Sequence, residues 1–254
     1  MIDFLIISER TTNKGTVEIY PKFRMYPKSS DLMIRGGDFY AIWLEEYGMW
    51  STNEDQALML IDRELNNYAD IHKERLGDSY RILYMQDSDS GMVDAWHKYC
   101  QKQSRDNFRM LDETLIFSNM QPTREDYASK RLPYPLEKGS IEGYDKLIST
   151  LYSEEERHKI EWAIGAIVTG ESKRLQKFMV LYGAAGTGKS TIINIIQKLF
   201  EGYYSVFDAK ALGSASNSFA LEAFKTYPLV AIQHDGDLSK LEDNTRLNSL
   251  VSHE

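Results

Sequence analysis

The chain has 254 residues, of which 42% are hydrophobic, 12% aromatic and 27% charged; this is the balance of a globular protein of one or two domains and excludes a disordered, collagenous or coiled-coil one. A net charge of −8 excludes a surface that coats nucleic acid over its whole extent, although a ring that threads a strand through its centre needs only a few inward cations per subunit. No apolar run approaches the roughly 18 residues of a membrane span, the N-terminus lacks the features of a secretory signal, and Cys100 as the single cysteine permits no intrachain disulfide, which points to a reducing cytoplasm.

Residues 1 to 35 alternate short apolar and polar groups, as in Val17-Glu18-Ile19-Tyr20, and predict one or two strands turning at Asn13-Lys14-Gly15. Asp38 to Trp43 and Met49 to Thr52 flank Glu45-Glu46-Tyr47-Gly48, the pattern of a hairpin. A helix follows. Thr52 or Asn53 can cap it, Glu54 and Asp55 suit its first turn, Leu58, Ile61, Leu65 and Tyr68 recur at helical spacing, and Gly77 can end it. A second helix is predicted from Gly91 to Asn107, with Val93, Trp96, Tyr99 and Cys100 on one side. Aromatics and cations interleave there from Trp96 to Lys102, a pattern open to two readings: a stacking surface for single strands, or simply core. Thr114 to Phe117 reads as a strand, and Leu132-Pro133-Tyr134-Pro135 with Gly139 reads as a linker, which puts a domain boundary at 136/137. Beyond it, Ser153 and Glu156 form a capping box for a helix running to Val168.

The apolar run Lys177 to Tyr182 predicts a strand that leads directly into Gly183-Ala184-Ala185-Gly186-Thr187-Gly188-Lys189-Ser190, a full G-x-x-x-x-G-K-[ST] match. Thr191 to Phe200 then has the length of a helix. Glycines at 183, 186 and 188 let the backbone turn its N–H groups onto phosphate oxygens, where a Cβ would crowd them. Lys189 supplies charge to the β- and γ-phosphates, Ser190 offers a hydroxyl to Mg²⁺, and the helix N-terminus favours the same anion. The expected ligands are therefore ATP and Mg²⁺.

Such an ATPase also needs a carboxylate at the end of a neighbouring strand. Tyr227 to Asp237 supplies that pattern, an apolar run ending in Asp235-Gly236-Asp237. One acid can hold Mg²⁺ and the other orient the attacking water. Asp235, which ends the strand directly, is the expected metal-side residue beside Ser190, and Asp237 the water-positioning one, but Gly236 separates the pair and leaves the two roles open. His234 has no second His or Cys nearby and is assigned no metal role.

With these motifs placed, the chain resembles the superfamily 3 helicases joined to phage, plasmid and poxvirus primases. The resemblance rests on the order of the helix Glu161 to Gly170, the P-loop, Asn217-Ser218-Phe219-Ala220 and the Leu229 to Asp237 run. Upstream, Phe39 to Trp43 with Trp50, and Ser129 to Tyr134, also look like the domain preceding the helicase in that family. It implies an α+β, mainly helical, helicase-associated domain over residues 1–136, and over 137–254 an α/β P-loop ATPase domain of AAA+-like type. By matching position, Gly183, Ala184, Ala185, Gly186, Thr187, Gly188, Lys189, Ser190 and Thr191 would hold the nucleotide, and Lys189, Asp235 and Asp237 would be catalytic. The implied activity is that of an ATP-dependent replicative DNA helicase, a hexameric ring translocating on single-stranded DNA. Primase or polymerase partners and, for a phage protein, the bacterial host cytoplasm are implied with it. Asn248 to Glu254 is similar to the start of the next family motif. The sensor residue and arginine finger that follow it in the family have no counterpart, which reads as an ATPase domain incomplete at its C-terminus. Two other classes stay open: a nucleotide kinase, whose basic lid would need more than Lys210, and a nucleotide-gated replication loader or adaptor acting through residues 1–136. No Asn-Lys-x-Asp sequence favours GTP.

Overall fold

The computed structural model describes residues 2–25, 29–87, 91–103, 109–212, 221–234 and 245–252. The chain divides into two compact units, residues 1–111 with 121–129, and residues 112–120 with 130–254.

In the first unit, β1 (Leu5–Thr11) and β2 (Val17–Phe23) form an antiparallel hairpin, paired from Leu5 with Phe23 to Thr11 with Val17. Strands β3 (Leu32–Arg35), β4 (Asp38–Leu44) and β5 (Met49–Ser51) form a second antiparallel sheet, and the expected hairpin around Glu45 to Gly48 joins β4 to β5. Helix α1 (Glu54–Ile71) starts where the sequence predicts, because the Asn53 side chain accepts from the Asp55 N–H at 3.0 Å. It stops at His72, short of Gly77; the His72 ring packs at a tilt against Tyr68 with centroids 4.3 Å apart, and Gly77 ends the separate turn α2 (Lys73–Leu76). Strand β6 (Tyr80–Ile82) joins β2 in parallel, and α3 (Met92–Lys102) closes the unit.

This unit is mixed α/β rather than mainly helical. The two-residue alternation along β1 and β2 gives each strand one apolar face, and burying those faces requires sheets against the helices. Ile19, Leu32, Ile34 and Ile42 from the strands meet Ile61 and Leu65 of α1 and Trp96 and Tyr99 of α3 in one core. Trp96 is fully buried, with Phe4, Phe23 and Phe39 around it, so its place is in the core and not on a base-stacking surface.

The second unit holds α4 (Glu142–Leu151), α5 (Glu154–Val168), α6 (Ser172–Leu175), α7 (Lys189–Leu199), β7 (Tyr204–Val206), α8 (Ala209–Leu212), β8 (Val230–Ile232) and α9 (Thr245–Ser252). The capping box at α5 is present in full: Ser153 Oγ accepts from the Glu156 N–H, and the Glu156 carboxylate accepts from the Ser153 N–H at 2.9 Å. Residues 114–117 form no strand. The Leu132 N–H donates to Ile116 O and the Ser118 N–H to Tyr134 O, while Pro133 and Pro135 have no N–H to extend the pairing. Leu132 is fully buried in the core with Leu115 and Phe117, so the Pro-containing segment is packed structure rather than a linker. Among the described residues, no helix is long and apolar enough to cross a membrane.

Candidate functional site

Helix α7 carries β-branched residues that alone would favour a strand. Tertiary packing decides otherwise. Ile192 and Ile196, one turn apart, are buried with Phe200 and Tyr203 against Ile148 of α4 and Ile160 of α5, so one stripe of α7 is fixed and its N-terminus is held in place. Strand β8 buries Val230 and Ile232 in the same core and pairs in parallel with β7, Tyr204 opposite Val230 and Val206 opposite Ile232.

The loop before α7 has the backbone form its glycines require. Gly186 and Gly188 have φ of +77° and +81°, and Gly188 is the N-cap of α7. A side chain at Gly188 would be strained by its positive φ and would push Leu151 of α4 aside, since a Cβ there would lie 2.8 Å from both of its terminal methyls. Lys189 Nζ donates to the carbonyls of Gly183 at 2.9 Å and Ala184 at 2.6 Å, and Thr187 Oγ1 donates to Ala184 O at 3.0 Å. Among the described residues, the amide N–H groups of 184–188 donate to no carbonyl or side chain. Ser190 is exposed in the first turn of α7, which carries no acid. Unpartnered amides, a cation and the positive end of a helix dipole together suit an anion such as a nucleotide phosphate, and the Ser190 hydroxyl suits Mg²⁺. Gly183 to Thr191 are thus brought together on one loop and one helix end.

The expected strand over 177–182 is absent. The segment takes no regular structure, its backbone pairs with nothing among the described residues, and Phe178, Val180 and Tyr182 are exposed, Tyr182 at 98%. An apolar run becomes a strand only when a neighbour supplies the ladder, and β7 and β8 pair with each other. Leu181 alone of the run packs against the core. The expected acidic pair, Asp235 and Asp237, lies outside the described residues; the structure follows the run as far as His234, whose Nε2 lies 3.4 Å from Gln197 Nε2 on α7. Among the described residues, no group of three or more His, Cys, Asp or Glu side chains is placed to hold a metal ion.

Sequence reasoning missed Leu151, Gln197 and the lock of Thr187 on Ala184. The first two come from elements far from the motif and leave no signal in it. Thr187 had one, a hydroxyl three residues after a loop carbonyl. No protein-family model, curated protein or solved structure matches the chain.

Proposed function

We propose that the chain binds Mg-ATP through residues 183–191 and acts as an ATP-dependent replicative DNA helicase of the phage primase–helicase type, moving on single-stranded DNA as a ring of identical subunits in the cytoplasm. One observation carries the nucleotide part: five consecutive backbone amides without acceptors, ending at the N-terminus of α7 beside Lys189. The helicase part rests on the order of motifs along the sequence.

In this reading the amides of 184–188 cradle the phosphates. Lys189 leaves the carbonyls of Gly183 and Ala184 for the β- and γ-phosphates, and Ser190 ligates Mg²⁺. Asp235 would hold the metal together with Ser190, and Asp237 would orient the attacking water. Mg²⁺ supplies charge neutralisation at the transferred phosphoryl group when bound. The N-terminal unit positions the ATPase or contacts replication partners such as a primase or polymerase.

Nucleotide turnover with and without single-stranded DNA tests the proposal. ATP hydrolysis stimulated by DNA and lost in Lys189→Ala is the expected result. Transfer of the γ-phosphate to a nucleoside monophosphate would replace it with a kinase reading, and binding without turnover would favour a loader.

A further inference from the structure

We propose that a cavity in the first unit binds a primary alkylammonium group, with the Glu54 carboxylate as its anchor. The cavity, of about 500 Å³, opens between the β3–β4 turn, the start of α1 and α3, and is lined by Phe39, Thr52, Glu54, His97 and Gln101 among others. That volume is within the usual range for small-ligand sites. The turn lies beside α3: Gly37, at φ +101°, stands where a Cβ would lie 3.4 Å from Gln101 Cα.

The chemistry follows from how Glu54 is held. It is the first residue of α1, where a carboxylate is favoured by the helix dipole. Its Oε1 accepts from the indole Nε1–H of the fully buried Trp96 at 2.7 Å and has His97 Nε2 at 3.4 Å. Its Oε2 has no hydrogen-bond partner among the described residues. A carboxylate fixed through one oxygen presents the other. Guanidinium prefers a fork of two acceptors on one carboxylate, and Oε1 is already engaged; ammonium needs a single strong acceptor and two weaker ones. The Thr52 hydroxyl and the Gln101 amide oxygen can serve as the weaker pair, and the Phe39 ring adds an aromatic wall of the kind cations favour. An anion would meet Glu54 and find no lysine or arginine on this wall.

The ammonium can belong to a free diamine or to a lysine side chain, and two probes separate these sources. Putrescine and Nα-acetyl-lysine methylamide are titrated into the ¹⁵N-labelled chain, and the indole N–H resonance of Trp96, assigned through Trp96→Phe, is followed. A saturable shift complete below about 1 mM is expected, the tighter probe identifying the source. Glu54→Gln keeps an acceptor for Trp96 but loses the charge, and should bind at least tenfold more weakly. Thr52→Val leaves Glu54 untouched and should weaken binding several-fold, which keeps the test decisive even where Glu54→Gln disturbs the fold. The proposal fails if neither probe shifts the resonance, if both variants bind like the parent, or if tetramethylammonium, which has no N–H, binds as tightly as putrescine.

Discussion

The Lys189 ammonium donates to the carbonyl oxygen of Gly183, 2.9 Å away and six residues earlier, so the loop is closed on its own cation. Lys189 supports no core cluster, and its removal leaves the stripe of α7 intact. Lys189→Ala should abolish ATP binding by equilibrium dialysis with labelled nucleotide while the far-ultraviolet circular dichroism stays unchanged. Retained affinity would remove the phosphate role from the loop.

Substitution of the two acids after β8 separates their roles. Asp237→Asn should keep Mg-ATP binding and lose turnover, whereas Asp235→Asn should weaken the dependence of binding on Mg²⁺. The reverse pattern, read from binding isotherms with and without Mg²⁺ and from phosphate release, exchanges the assignments.

Tyr203 ties three segments of the second unit together. Its hydroxyl donates to Lys130 O at 2.7 Å and accepts from the Ile116 N–H at 3.3 Å, and the residue is only 2% exposed. Tyr203→Phe strands both backbone groups and should destabilise the unit by about 1–3 kcal/mol in urea unfolding. Burial pushes the phenol up to about 12. Because the folded state keeps its proton to higher pH than the unfolded chain, whose tyrosines titrate near 10, this residue's contribution is complete below about pH 10 and is lost between about pH 10 and 12. The Tyr203→Phe chain should lack that part of the alkaline decline.

Glu9 is clamped from two sides. Arg75 Nη1 donates to Glu9 Oε2 at 2.9 Å and the Tyr68 hydroxyl donates to Oε1 at 2.8 Å. The Arg75 hydrogen bond, with Tyr68 assisting and burial opposing, lowers the Glu9 carboxyl to about 2. A depressed carboxylate stabilises the fold above its unfolded pKa, and that contribution disappears as pH falls from about 4 to about 2. Arg75→Met should raise the Glu9 midpoint in a carboxylate NMR titration, and Tyr68→Phe should raise it less. An unmoved midpoint in Arg75→Met would refute the assignment.

The parts of the fold legible in the sequence are those whose signals are local. Asn53 before Glu54, and Ser153 with Glu156, announce α1 and α5 because a cap satisfies backbone donors within one turn. Helix α4 escaped notice for the same reason: Ile141 precedes it with no side-chain cap, and Gly143 weakens its first turn. Strand pairing is not local. Residues 114–117 and 177–182 have strand composition, yet in one only Ile116 O takes a hydrogen bond from a neighbouring segment, that of Leu132, and the other pairs with nothing among the described residues. At the candidate site the glycines and Lys189 were legible as a motif, while Leu151, which closes the space beside Gly188, belongs to the helix the sequence did not reveal.

The approach of Leu151 to Gly188 also gives the loop a neighbour on α4. With the Leu151 methyls filling the volume that a Gly188 Cβ would need, the last residue of α4 packs beside the N-cap of α7, and a change in the loop's mobility is expected to reach the end of α4 through that side chain. A ligand that immobilises the loop should therefore damp the end of α4 as well, at no point touching it. Amide deuteration near Leu151 should slow when ATP is added, and Leu151→Ala should uncouple the two, leaving α4 to exchange at one rate whether or not nucleotide is present.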